Sequence, residues 1–267
     1  VVLGAGPFLQ DHAPVVTELF HLTVTEVSPR GAQHVAAAIE TLLRRFPEEA
    51  ADMLRQGGVL TKLLLTVLES NGDDRSRNGG DGFAPPSRSD DTITVHYLSL
   101  LARVLFTAPT QMRALLHVPG VTDGSPQQVM GRMLQLVDLW LSRFDAMGFA
   151  SSSMPWRRKL IALALVSILP ADPGVFDRLD QILSVCIDVL AEPLLGPDGV
   201  PDNHSQTPDS TDLLNANLRN MLQEDPVSTT DLKSYLSQKM NEASGAFPNE
   251  FQAALAAVDP VLLQQLQ

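Results

Sequence analysis

The sequence predicts an all-α protein made of stacked helix pairs, and three observations lead to this prediction. Of the 267 residues, 44% are hydrophobic but only 5% are aromatic, and β-branched residues are mostly scattered, which favours helices over sheets. Apolar residues recur every three or four positions along several segments. A further segment, residues 160–169, is apolar on every side. A helix of that kind has to be covered all round by neighbours, as it is inside a stack.

The clearest helical periodicity lies in residues 129–147, where apolar side chains fall on one face and polar side chains on the other. Its apolar stripe consists of Met130, Met133, Val137, Trp140, Phe144 and Met147. Similar stripes run through residues 60–68 and 175–190. We therefore predict three amphipathic helices, with Cys186 of the last stripe in an unreactive core position.

Asp-Pro and Phe-Pro dipeptides mark several predicted helix starts. An aspartate accepts hydrogen bonds from the free N–H groups of a first turn, and the missing N–H of a following proline costs nothing there. Three such Asp-Pro pairs begin at Asp172, Asp225 and Asp259. Phe-Pro pairs begin at Phe46 and Phe247 and are predicted to do similar work.

Two short segments leave strands open as an alternative. Residues 21–27 and 91–97 alternate with threonine, which is typical of a strand with one buried face. Their sequence neighbours favour helix.

Two polar stretches interrupt the helical pattern. Residues 71–91 are rich in Gly, Asp, Ser and Arg, residues 196–212 are rich in Pro, Asp and Ser, and both are predicted to be loops. The remaining segments are predicted to be helical repeats, over residues 1–70, 92–195 and 213–267.

Short helices with a wholly apolar helix among them indicate an α-α superhelix, that is, a HEAT or armadillo-like solenoid. In such a solenoid, each unit of about 40 to 47 residues contributes two helices, and adjacent units cover the inner one. The chain length then allows about five to six helix pairs. No crisp internal repeat is visible in the sequence, so this prediction depends on the helical pattern.

The balance of acidic and basic residues limits the classes of partner that the protein can bind. Thirty-one acidic and nineteen basic residues give a net charge of -12, which disfavours direct binding to a nucleic-acid backbone. Residues 191–267 hold eleven acidic and three basic residues, so this region would favour a basic protein partner. The alternative is an acidic surface that only keeps a leucine-rich protein in solution. The candidate partner-binding carboxylates are Asp198, Asp202, Asp209 and Asp212.

The sequence contains no recognisable catalytic, metal-binding or cofactor-binding motif. The histidines do not pair with carboxylates at metal-binding spacing, and the serines at 151–153 lack the glycine-flanked turn of a hydrolase nucleophile. Gly4 and Gly6 have the separation of a dinucleotide-binding turn, but Leu9 stands where a third glycine is needed. We predict a protein that is not an enzyme, with no catalytic residue, cofactor or metal.

The chain is expected to be part of a longer intracellular protein. A single cysteine excludes an intrachain disulfide and fits a reducing compartment. No stretch approaches the roughly 20 apolar residues that cross a membrane. The chain opens at Val1 with apolar residues and without the basic start of a signal peptide.

The sharpest local feature is a basic cluster that opens the apolar segment and consists of Trp156, Arg157, Arg158 and Lys159. Three cations at a helix start oppose the helix dipole, at a cost of about a few tenths of a kcal/mol each when exposed. They would either contact an acidic partner or pair internally with carboxylates such as Asp138 or Asp145. We favour internal pairing, and both interpretations stay open.

Four motifs follow one another in the second half of the chain: WLSRFDAM, WRRKLIALALVSILPADPGV, LQEDPVSTTDLKSYLSQKM and ALAAVDPVLLQQLQ. In order and approximate spacing they resemble the C-terminal end of nuclear transport receptors of the importin-beta superfamily (karyopherins). Within this superfamily, the motifs look most similar to the importin eleven branch. The resemblance covers residues 129–267 apart from a variable loop, and the stretch at residues 71–91 has no counterpart in it.

The resemblance implies a HEAT-repeat receptor that shuttles between cytoplasm and nucleus and carries protein cargo, here possibly basic, under control of GTP-bound Ran. The main Ran contacts of such receptors lie in N-terminal repeats that this chain lacks. The Phe-Gly repeats of pore proteins would bind between outer helices, and neither nucleic acid nor a membrane is bound directly. The alternative is a HEAT-repeat scaffold subunit of a cytosolic complex with no transport role.

Overall fold

The computed structural model of the chain describes residues 5–26, 28–77, 88–118, 121–149, 156–192 and 224–266. Every regular element in these ranges is a helix, which confirms the predicted all-α fold. The chain divides into two compact units, Val1–Arg143 and Phe144–Gln267. Each helix of the described ranges is too short or too polar to cross a bilayer.

The first unit is organised around a buried fifth helix. Its helices are α1 (Ala5–Glu26), α2 (Pro29–Arg45), α3 (Pro47–Gln56), α4 (Val59–Arg77), α5 (Arg88–Thr107), α6 (Pro109–Leu116) and α7 (Pro126–Ser142). Helix α5 packs against α2, α3, α4 and α6. From Tyr97 to Leu105 every residue of α5 is buried.

Hydrogen bonds made by the side chains of Trp140 and Tyr97 connect α5 to other helices of this unit. The Trp140 indole N–H donates to the Leu98 carbonyl at 3.0 Å, and the Tyr97 hydroxyl donates to the Val24 carbonyl. Burial raises the pKa of Tyr97 to about 12, so the phenol stays protonated and keeps donating at physiological pH. Trp140 is fully buried, as expected of a packing residue.

The turn between α3 and α4 requires glycine at two successive positions. Gly58 has φ of 72°, in the left-handed region that side chains disfavour. At Gly57 a Cβ atom would lie 2.5 Å from the Cβ of the buried Thr17 on α1, so a side chain there would push α1 away. The glycine pair thus allows α1 to pack closely on this turn.

The second unit surrounds a short apolar helix. Its elements are α8 (Phe144–Phe149), α9 (Trp156–Ser167), a 3-10 helix (Pro173–Arg178), α10 (Leu179–Ala191), α11 (Pro226–Thr229), α12 (Leu232–Ala246), α13 (Pro248–Ala257) and α14 (Pro260–Gln265). Helix α9 packs against α8, α10, α11 and α12. Residues 160–166 are all 0% exposed. The predicted inner helix, covered on all sides, is confirmed.

The three Asp-Pro pairs begin helical elements as predicted. The side chains of Asp172, Asp225 and Asp259 each accept a hydrogen bond from the N–H two residues later, at 2.8, 3.0 and 2.8 Å. Asp172 begins the 3-10 helix, whereas Asp225 and Asp259 begin α11 and α14. These caps supply acceptors that the first turn of a helix otherwise lacks.

The same sharp bend between two helices, here called the corner, is found at three places in the described residues. Phe46, Ala108 and Phe247 each link two helices as a single residue before proline, with φ between -137° and -139° and ψ between 60° and 69°. Each donates its N–H to the carbonyl four residues earlier and accepts from the N–H four residues later. Both helix ends are therefore hydrogen-bonded at the bend. The chain repeats a backbone conformation although its sequence shows no crisp repeat.

Three predictions from the sequence differ from the structure. The helix predicted over residues 129–147 is interrupted at Arg143, which caps α7 with φ of -105° and ψ of 5°. Helix α4 continues to Arg77 and α5 begins at Arg88, so helices extend into the predicted loop from both sides. The strand alternative is wrong for the described part of residues 21–27 and for residues 91–97, which lie in α1 and α5. Residues 78–87 and 196–212 lie outside the described residues.

Candidate interaction surface

The basic cluster lies at the start of α9, inside the second unit. Trp156 is half-buried and Arg157 is only 1% exposed, so little of either residue reaches the surface. A guanidinium is rarely buried unless it is compensated inside the protein. Arg157 therefore belongs to the interior of this unit.

Arg158 connects α9 to α8 and to the end of α10. Its Nη1 lies 2.6 Å from Glu192 Oε1, and its Nη2 lies 3.8 Å from Asp188 Oδ2. Its guanidinium carbon lies 4.3 Å from the centre of the Phe144 ring, within the range of a cation–π contact. Burial raises the pKa of Glu192, Arg158 lowers it, and Asp188 raises it further. The acid pair at the end of α10 compensates Arg158 at the positive start of α9.

Lys159 connects α9 to α11. Its ammonium donates to the Ser228 carbonyl at 3.1 Å. Burial lowers the pKa of Lys159, while Asp231 and Asp225 act in the opposite direction and favour the charged form. The lysine is therefore half-buried among groups of its own unit rather than extended into solvent.

Arg158→Glu is expected to lower the free energy of unfolding by about 2 kcal/mol, because a third carboxylate would face Glu192 and Asp188 and the ring contact would be lost. Urea unfolding followed by circular dichroism measures this change. Lys233→Glu, at an exposed position of α12, is the control and is expected to change stability by less than about 0.5 kcal/mol. Unchanged stability in Arg158→Glu would contradict the internal role.

Arg158 contacts Glu192 and Asp188, and Lys159 contacts Ser228, all within the second unit. These partners differ from Asp138 and Asp145, which the sequence suggested. Partner binding by these residues stays a prediction. The other candidate residues, Asp198, Asp202, Asp209 and Asp212, lie outside the described residues.

A surface groove of about 560 Å³ lies between α13 and the segment formed by the 3-10 helix and the start of α10. Ala253, Ala254 and Ala257 line it from α13. Facing residues are the carboxylates Asp177 and Asp180, with Glu250 at the start of α13. This acidic groove has the size range of a ligand site, which is typically about 300–1,000 Å³.

Sequence reasoning missed the acidic groove because its two sides are about seventy residues apart in the chain. The available signals were the alanine-rich segment of α13 and the acids that follow Pro173, and each signal separately is typical of an ordinary helix. Only the fold places them on opposite sides of one depression.

Cys186 is fully buried, as predicted, and burial raises its pKa to about 12. A thiol in this state is neither nucleophilic nor a metal ligand near neutral pH. Within the ranges that the structure describes, no three His, Cys, Asp or Glu side chains are close enough together to hold a metal ion.

The helix pairs, the recurring corner and the covered inner helix define an all-α helical-repeat protein. Over residues 1–267 the chain matches the family model described as Importin-11-like, TPR repeats, and it belongs to that family. The motif-based prediction of an importin-beta superfamily member near importin-11 is thereby confirmed. The family description uses the term TPR where the sequence suggested HEAT, and both terms denote repeated helix pairs.

Two relatives carry the same name. The chain is 24% identical over 283 aligned residues to Importin-11 of Homo sapiens and 23% identical over 288 residues to Importin-11 of Mus musculus. The alignments include 100% of this chain and 26% of each relative, so the chain spans about a quarter of their length. No solved structure matches the chain.

Proposed function

We propose that this chain is a cargo-binding part of a nuclear transport receptor that moves between cytoplasm and nucleus and imports protein cargo under control of GTP-bound Ran. The observation that carries the proposal is the match of the whole chain to the importin-11-like family. The resemblance of residues 129–267 to the C-terminal end of such receptors supports a C-terminal position.

The proposed mechanism is non-covalent binding of protein partners, with no catalysed reaction. A helical-repeat protein offers an extended surface, on which affinity is the sum of many modest contacts and selectivity comes from complementary charge. The net charge of -12 favours cargo with basic surface. Phe-Gly repeats of pore proteins are the proposed apolar partners.

The test uses the full-length protein that contains this chain, immobilised beside the chain of residues 1–267 alone. Both are incubated with purified Ran loaded with GTP or GDP and with Phe-Gly nucleoporin repeats. We expect the full-length protein to retain Ran-GTP and the Phe-Gly repeats, and to retain little Ran-GDP. We expect the isolated chain to retain little Ran in either state.

Import into permeabilised cells provides the second readout. Labelled full-length protein is expected to accumulate in nuclei only when Ran and GTP are supplied. Retention of neither Ran-GTP nor Phe-Gly repeats, together with no nuclear accumulation, would overturn the proposal and favour a cytosolic scaffold.

A further inference from the structure

Helix α1 exposes a line of large apolar side chains. Val15, Leu19 and Leu22 are 67%, 58% and 50% exposed. Their spacing, first four residues and then three, places them on one line along the helix, over about two turns. These three residues are here called the α1 stripe. Of the large hydrophobic side chains that are exposed in the described part of the chain, most lie in this stripe.

The opposite side of α1 is buried within the first unit. Thr17 and Val24 are only 6% and 3% exposed, and the helix packs against α2, α3 and α4. One side of α1 is therefore covered, and an apolar line is left open on the other. Helices α5 and α9 show that apolar helices of this chain are covered elsewhere, since residues 97–105 and 160–166 are buried on every side.

The charges of α1 disfavour a second copy of the chain as the cover. The exposed carboxylates of Asp11, Glu18 and Glu26 border the α1 stripe, and the sequence of the helix contains no lysine or arginine. Two copies joined stripe to stripe would bring these carboxylates together without a cation from either helix. Like charges repel, so the cover is expected to be a different helix.

The length of the relatives provides a source for such a helix. The alignments include 26% of each Importin-11 relative, so about three quarters of those proteins have no counterpart in residues 1–267. In a protein of stacked helical repeats, each repeat contacts its neighbours. Apolar side chains at spacings of three and four residues form the ridges that pack into the grooves of another helix. The α1 stripe has the spacing of such a contact.

We infer that the α1 stripe is an internal interface of the full-length protein, covered by a helix of an adjacent repeat that lies outside residues 1–267. The covering helix places aliphatic side chains on Val15, Leu19 and Leu22, and α1 is then buried on both sides. The stripe is therefore closed to pore proteins and cargo. This inference goes beyond the proposed function, because it concerns how the protein is built and needs neither Ran nor cargo.

Alkylation of an introduced cysteine measures whether the stripe is covered. Leu19→Cys places a thiol in the stripe, and Lys233→Cys, at an exposed position of α12, is the matched control. Each change is made in the full-length protein and in the chain of residues 1–267, and both proteins are purified without partners. Mass spectrometry follows the reaction with N-ethylmaleimide at the substituted position. Cys186 is fully buried and provides the reference for a covered thiol.

We expect Leu19→Cys to react within about threefold of the rate of Lys233→Cys in the chain of residues 1–267, and about tenfold more slowly in the full-length protein. Lys233→Cys is expected to react at the same rate in both. Equal reaction of Leu19→Cys in the two proteins would overturn the inference, and slowing only after Phe-Gly repeats are added would assign the stripe to pore proteins instead. Slow reaction in residues 1–267 that speeds up on dilution would also overturn it, since a second copy would then be the cover.

A charged substitution tests the same interface through stability. Leu19→Asp is expected to lower the midpoint of thermal unfolding in the full-length protein, because it buries a carboxylate under the covering helix. In the chain of residues 1–267 the same change is expected to have little effect, since Leu19 is 58% exposed there. Ser237→Asp, at an exposed position of α12, is the control and is expected to change neither protein. An equal loss from Leu19→Asp in both proteins would contradict the inferred cover.

The inferred cover and the proposed transport function fail separately. Alkylation is first measured without Ran, cargo or pore proteins, and nuclear import is measured on the unmodified full-length protein. Fast alkylation of Leu19→Cys in a full-length protein that retains Ran-GTP and is imported would reject the cover alone. Slow alkylation in a full-length protein that fails every transport readout would reject the transport function alone.

Discussion

Glu40→Leu is expected to lower the free energy of unfolding of the first unit by about 3–5 kcal/mol, because it removes the carboxylate from a buried ion pair. Arg103 on α5 is 0% exposed, and its guanidinium pairs with Glu40 on α2. Arg44 also contacts this carboxylate, at 3.1 Å. Loss of Glu40 therefore removes a carboxylate that contacts two arginines at once. Chemical denaturation followed by circular dichroism measures the change.

A double-mutant cycle separates the pair from general damage to the core. Arg103→Met is expected to cost less than Glu40→Leu, because Glu40 keeps its contact with Arg44. The double variant is expected to regain part of the loss, since Met and Leu replace the Arg103–Glu40 pair with apolar groups but Arg44 still lacks the Glu40 carboxylate. A double variant as unstable as the sum of the two single variants would show that the helices do not depend on this pair.

Leu163→Ala is expected to lower the free energy of unfolding of the second unit by about 2–5 kcal/mol, the range for a fully buried leucine that leaves a cavity. Leu163 is 0% exposed at the centre of α9. Leu262→Ala, at a half-exposed position of α14, is the matched control and is expected to cost much less. Urea unfolding of the two variants gives the comparison.

Enlarging the small residues of α9 tests whether the helix is covered on every side. Ala162 and Ala164 are both 0% exposed and lie about 200° apart around the helix axis. Leucine at either position is expected to cost about 1–3 kcal/mol through overpacking. If one of the two changes is tolerated without loss, that side of α9 is less tightly packed than the structure indicates.

Much of the fold could be predicted because its causes are local. The apolar stripe of α7, the Asp-Pro caps and the all-round burial of α9 follow from side-chain chemistry within one helical segment. The interruption at Arg143 could not be predicted, since no proline or glycine marks it. The corner at Ala108 was missed because its sequence shares only the proline with the Phe-Pro corners.

The candidate surface was less predictable because its partners are distant in the sequence. Arg158 was recognisable as a cation that opposes a helix dipole, but Glu192 and Asp188 lie at the far end of the next long helix. Arg103 and Glu40 are 63 positions apart, and nothing in the sequence around either residue indicates that the two form an ion pair. Burial of a charge depends on the packing of whole helices, and periodicity alone does not specify which helices meet.

The recurring corner has an evolutionary consequence. The residue at the bend is Phe, Ala and Phe in the three copies, and the buried residue four positions later is Ala50, Met112 and Phe251. One bend therefore accommodates side chains of very different volume, provided that a proline follows and the two helix ends stay hydrogen-bonded. A protein that contains such bends can exchange the residues at these two positions and keep the bend. The chain is 23–24% identical to two relatives and matches one family model over its whole length.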